Sequence, residues 1–165
     1  MTQRFSQSHG IVPIEIATLD NYNAGMTMDS VNMAKYNHCT LIIIGNEGVA
    51  GDGILTIYGG TADAGTDAAI TFSYRYSAGD VDAASSDVLG TVATSAALEI
   101  TGTLLESRML VIEIDSGDMY VSNTQYNFIT PVLSDAGTDG EITCCAILSE
   151  PRYAEAVMPT AVPTA

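Results

Sequence analysis

The chain has 165 residues, 47% of them hydrophobic, and carries 20 acidic residues against five basic ones, for a formal charge of -15. This is enough chain for one domain with a real core, and too apolar for a disordered one. The charge excludes phosphate backbones and anionic membrane surfaces as partners, because both need Lys and Arg, and the longest strongly apolar run, Leu41 to Ile44, is far too short to span a bilayer.

Residues 1–10 are polar and unpatterned, hold no apolar run of the signal-peptide kind, and are predicted to form an N-terminal arm. A strand is predicted over Val12–Ala17, with Pro13 placing it at an edge, bulge or strand end. Met26 and Met28 alternate, as do Val31 and Met33, so strand over Ser30–Lys35 fits better than a short helix. Cys39–Ile44 and Ile54–Tyr58 follow, joined by the Gly-rich GNEGVAGDG. In Ile70–Tyr76 the residues Ile70, Phe72, Tyr74 and Tyr76 share one face and Thr71, Ser73 and Arg75 the other, the pattern of a half-buried strand. Val88–Ala93, Leu98–Thr101 and Met109–Asp115 are next, with helical turns at 85–89 or 95–98 as alternatives. Tyr126–Leu133 contains Pro131, again expected at an edge or end, and Ile142–Leu148, apolar on both faces, reads as a central strand. The Pro-containing 154–165 reads as a C-terminal arm. The pattern therefore predicts an all-β chain, an antiparallel, jelly-roll-like β-sandwich over 11–153 with extended arms at both ends.

The chemistry-bearing residues are sparse. There are two histidines, His9 in the first arm and His38 at the entrance to a strand, and neither G-x-S-x-G nor H-E-x-x-H occurs. GNEGVAGDG follows an apolar strand as a phosphate loop would, but a strand follows it, and Glu47 and Asp52 repel phosphate. The five-mer DAGTD occurs twice, at 63–67 and 135–139, each time two residues before an Ile-Thr pair. Its aspartates suggest a cation loop, yet their spacing does not fit the EF-hand pattern, and Asp and Gly equally suit a turn. The repeat suggests that the strands starting at Ile70 and Ile142 hold comparable positions in facing sheets; the second copy, with Glu141 added, is the better cation candidate. Without Trp, a sugar platform would fall to surface tyrosines, expected at Tyr22, Tyr36, Tyr120 and Tyr153. Cys39, Cys144 and Cys145 lack metal-ligand spacing and are expected as buried reduced thiols, implying assembly in a reducing cytoplasm. No enzyme activity, cofactor or metal is expected.

A looser pattern goes further. HGIVPIEIATL, then MTMDSVNMAKYNHCTLIIIGNEG and GILTIYGGTAD, and later GTDGEITCCAILSEPRYA, resemble small virion proteins of tailed phages. The matching residues are Asp29, Ser30, Val31, Met33, Tyr36, His38, Leu41 to Gly45, Ile142 to Leu148, Arg152 and Tyr153, in the first third and the last sixth of the chain. The resemblance implies a head decoration (cement) or minor capsid protein on the virion exterior, made in the host cytoplasm. Its partners would be the major capsid protein and itself, as a trimer, and it would clamp capsomers by multivalent binding. The arms would supply the contacts: Arg4 and Phe5 in the first, Arg152, Tyr153 and Met158 in the second, Arg and Tyr being enriched at interface hot spots. A phage tail or fibre adhesin, or a carbohydrate-binding β-sandwich, is the alternative.

Overall fold

A computed structural model describes residues 4–16, 22–23, 25–46, 52–134, 137, 140–152 and 161–162. The chain runs through helix α1 (Phe5–Ser8) and strands β1 (Gly10–Glu15), β2 (Met26–Thr27), β3 (Val31–Asn32), β4 (Tyr36–Gly45), β5 (Asp52–Gly60), β6 (Ala68–Ala69), β7 (Phe72–Tyr76), β8 (Ala93–Ser95) and β9 (Leu98–Thr101). Helix α2 (Gly102–Leu105) then leads to β10 (Met109–Asp115), β11 (Tyr120–Val121), β12 (Thr124–Gln125), β13 (Phe128–Leu133) and β14 (Ile142–Pro151).

The strands form two large antiparallel sheets and the separate two-stranded β11–β12 hairpin. Sheet one has the order β1-β14-β4-β10-β7-β8. Sheet two is built on β2-β13-β5-β6, with β3 also pairing β13 and β9 also pairing β5. Counting β2 with β3, and β6 with β9, as single positions, the chain visits the sheets in jelly-roll sequence. The departure is that the position shared by β6 and β9 is split: the chain leaves β6, pairs β7 and β8 at the rim of sheet one, and returns as β9.

Alternation explains the layers. On β4 the side chains of Cys39, Leu41 and Ile43 point inward, on β10 those of Leu110, Ile112 and Ile114, and on β14 those of Ile142, Cys144, Ala146 and Leu148. With Leu55 and Ile57 from β5 and Ile129 and Leu133 from β13 they make one continuous core, and burying such side chains drives the two sheets together. Tyr22 and Tyr36, expected at the surface, are both fully buried. Tyr22 lies inward because its hydroxyl has a buried acceptor, donating to the Ile100 carbonyl at 3.1 Å.

The prolines separate two ways of tolerating a missing N–H. β1 is an edge strand and its register shifts between Pro13 and Glu15, so Pro13 sits at an edge bulge as expected. Pro131 instead lies within an inner strand. Its carbonyl accepts from Met28 N on the side where sheet two is interrupted between β2 and β3. The N and C=O of one strand residue point the same way, so Pro131 removes no bond from the β5 ladder.

Other departures are local. Ser30–Lys35 is strand only at β3, because Asn32 Oδ1 accepts from Ala34 N and bends the chain before β4. Val88–Ala93 makes only an isolated bridge, Ser77 to Leu89, and strand resumes at β8. The helical turn falls at α2 rather than at 85–89 or 95–98. Between β10 and β13, Ser122 and Asn123 both have positive φ (50° and 65°) in the two-residue loop of the β11–β12 hairpin, the primed turn that matches strand twist.

Candidate functional site

The registers fix which loops share an end of the sandwich. Gly10 of β1 pairs Leu148 of β14, Pro151 of β14 pairs Tyr36 of β4, and His38 pairs Asp115 of β10. The start of β1, the start of β4, the end of β10 and the end of β14 therefore lie together. The same end holds α1, the turn before β4, the β11–β12 hairpin and the 61–67 loop after β5, whose last residue, Gly60, pairs Phe128. The chain thus enters and leaves the domain at one end.

Two expected contact residues of the first arm are here. Arg4 is exposed and Phe5 opens α1, 53% exposed, with its ring stacked on His9 at 4.1 Å and 13°. Arg152, exposed, is held from three directions: its backbone N donates to the Lys35 carbonyl at 2.8 Å, and its Nε lies 3.2 Å from the Tyr36 carbonyl and 3.1 Å from Asn37 Oδ1. The fold therefore brings Arg4, Phe5 and Arg152 to one end. Tyr153 and Met158 lie outside the described residues. The second arm touches the body again at Ala161, which is buried and accepts from Asn32 N at 2.9 Å.

A hydroxyl–imidazole–carboxylate line stands beside this end, on the outer face of sheet one. His38 Nδ1 is 2.7 Å from Asp115 Oδ1, and His38 Nε2 is 3.3 Å from Thr40 Oγ1. The order of groups is that of a hydrolytic triad, but the setting differs. Asp115 is 72% exposed, so water weakens its hold on the imidazole. Thr40 sits mid-strand between β10 and β14, where backbone N–H groups are committed to ladders rather than free to stabilise an oxyanion. Here the line ties β4 to β10. Alternation in the sequence places His38 and Thr40 on one face; the partner Asp115 is set by a cross-strand register that the sequence does not show.

The first DAGTD loop is occupied by its own fold. Asp63 accepts from the Ser30 hydroxyl, which in turn accepts from Ala64 N at 3.1 Å. Asp67 Oδ2 accepts from Thr61 N and Thr61 Oγ1, both at 2.9 Å, so the two aspartates are used as turn residues. Of the second copy only Gly137 is described, and Glu141 pairs with Asn46 at the far end. The strands that follow the two copies, β7 and β14, share sheet one and run in opposite directions. This corrects the expectation of facing sheets. Among the described residues no three His, Cys, Asp or Glu side chains cluster as metal ligands would, and no helix is long and apolar enough to cross a membrane.

The thiols divide by position. Cys39 and Cys144 face the core and burial pushes both well above the ordinary thiol value; Cys145, on the outer face, is half-buried and raised for the same reason. Only thiolates attack disulfide reagents, so Ellman's reagent should modify Cys145 slowly in the native protein and reach Cys39 and Cys144 only on unfolding. Burial also raises the Tyr22 and Tyr76 phenols. All four buried groups ionise more readily in the unfolded chain. Their contribution to stability is therefore complete below the unfolded thiol value of 9.0 and is lost progressively above it. A melting temperature that does not fall between pH 9 and 11 would contradict this.

Fold and geometry together define an all-β jelly-roll sandwich with exposed Arg4, Phe5 and Arg152 at the end where β1 begins and β14 ends. No family model and no curated protein matches the chain. Among solved structures it is similar to the SPBc2 prophage-derived protein YomS, with a TM-score of 0.51 and 8% identity over 85% of this chain and 91% of that one, a likeness of fold.

Proposed function

We propose that this chain is a structural virion protein of a tailed phage that decorates the outer surface of the capsid and binds the major capsid protein through the end of the sandwich where its termini emerge. The observation that carries the proposal is the gathering there of Arg4 and Phe5 with Arg152, the last held by Tyr36 and Asn37. Repeated over a symmetric lattice, a modest contact of this kind accumulates into a large one. The fold shared with a prophage-derived protein supports a phage origin. A charge of -15 suits a protein that stays soluble at high copy number until a shell is present. The role needs no catalytic residues, and an exposed His38–Asp115 pair is consistent with that.

The test is binding of the purified chain to expanded shells of its phage. The protein is expected to saturate the shells at a fixed ratio to the major capsid protein. Deleting residues 1–9, or replacing Phe5 and Arg152 together by Ala, is expected to weaken binding at least tenfold without lowering the melting temperature by more than a few degrees. A shortening of the second arm is expected to spare the fold only if it keeps Ala161, which is buried and accepts from Asn32 N. Shells that bind none of the wild-type chain overturn the proposal; equal binding by the variants removes this end as the contact.

A further inference from the structure

The solvent-side face of sheet one is built like an interior. In an antiparallel sheet with one face in water, outward positions are expected to be polar. Here Ile42 and Ile44 of β4 point outward beside Val111 of β10 and Cys145 and Ile147 of β14, and Ile11 of edge strand β1 continues the row beside Ile147. Ile11 is 51% exposed and Ile44 45%. This is a contiguous apolar surface across four neighbouring strands, larger than the scattered apolar residues of an ordinary monomer surface.

We infer that this face binds a second copy of the chain, so that two sandwiches pair through the outer surfaces of sheet one. Three features select that occupant. The first is size. Strands β1, β14, β4, β10 and β7, spaced about 4.8 Å apart with outward side chains every ~6.8 Å, give roughly 500 Å² per copy, or about 1,000 Å² for two, the area at which specific interfaces begin. The second is charge. A chain carrying -15 repels its own copies almost everywhere, yet the Ile42, Val111, Cys145 and Ile147 centre of this face carries no carboxylate. The third is complementary charge. Arg75 of β7 pairs Val111 and so shares the outer face, and Glu113 of β10 lies on the same face. A two-fold contact pairs residue i with j and j with i, so a face holding both signs complements itself twice. Flat faces meeting in this way close on a two-fold axis rather than the threefold that the resemblance to decoration proteins implies. The inference does not depend on the proposed capsid role, since it concerns the purified chain alone.

Sedimentation equilibrium of the full chain over 1–200 µM tests it, beside Ile42→Lys, Ile147→Lys and, as a charge-matched control away from the face, Thr124→Lys. Wild type and Thr124→Lys are expected to dimerise in this range, and the two face variants to dissociate with constants at least tenfold higher. A second measurement needs no variant: maleimide labelling of Cys145 is expected to slow severalfold as protein concentration rises through the dimerisation range, with Cys39 and Cys144 inert throughout. A wild-type chain monomeric at 200 µM, or one whose association is unchanged in both face variants and whose Cys145 labelling rate ignores concentration, overturns the inference. A monomeric chain whose binding to shells is weakened by Ile42→Lys and Ile147→Lys assigns the face to the shell protein and overturns it equally.

Discussion

Replacing Gly60 by Ala is expected to destabilise the domain by about 3 kcal/mol, at the upper end of overpacking costs. A Cβ at Gly60 would stand 2.7 Å from the Gly65 carbonyl oxygen, 2.8 Å from its Cα and 2.9 Å from its carbonyl carbon. All three are backbone atoms, so no rotamer change relieves the contact. The only escape is for the 61–67 loop to lift from the end of β5, which breaks the Ser30–Asp63 and Thr61–Asp67 bonds that hold it. Urea unfolding measures the loss. Gly117→Ala is the comparison, since a Cβ there meets nothing within 4 Å, and it should be neutral within about 0.5 kcal/mol. Equal midpoints for the two variants would show that the loop adapts freely.

Tyr36→Ala is expected to be costlier still, about 3–5 kcal/mol, the range for deleting a buried ring. Tyr36 is fully buried at the first residue of β4, and its hydroxyl would sit 3.2 Å from a Cβ built on Gly10. It therefore underlies the start of β1 while its backbone carbonyl accepts from Arg152. Removing the ring takes support from both chain ends at once. A melting temperature lowered by roughly 10 °C is expected, with Tyr36→Leu losing less because it refills part of the space. The Ala variant should also bind shells more weakly than its residual folded fraction explains. Recovery of full binding wherever the protein is folded would separate this ring from the contact surface.

What the sequence made legible was whatever local alternation encodes. β9 and β10 have the expected bounds, and the inward rows of β4, β10 and β14 follow from period two. Pro13 pointed to an edge bulge. What stayed hidden depends on partners distant in the chain. Pro131 is inside sheet two only because β2 and β3 part opposite it. Tyr36 is buried because a glycine 26 positions earlier leaves room for it. The doubled DAGTD suggested comparable strands in facing sheets; the registers put the strands that follow it in one sheet, running in opposite directions. Ile142–Leu148 was legible as central, being apolar on both faces, but the same property on β4 and β10, which makes a whole outer surface apolar, emerges only when the three strands are laid side by side. Of the proposed contact, residue types singled out Arg4, Phe5 and Arg152, while their place at one end of the sandwich required the fold.

The place of β14 has a consequence for how the chain comes into being. It fits inside sheet one between β1 and β4, yet among the described strands it comes last in chain order. Until it arrives β1 has no ladder to join, and one side of β4 offers ten residues of unpaired backbone, most of them apolar. Such an open side is a template for joining another nascent chain, and closing it pairs residues as far apart in the chain as Tyr36 and Pro151, a slow step. The interval between synthesis and closure is thus the time of greatest exposure. The dense negative charge acts then as well, because it holds incomplete copies apart until that strand slots in.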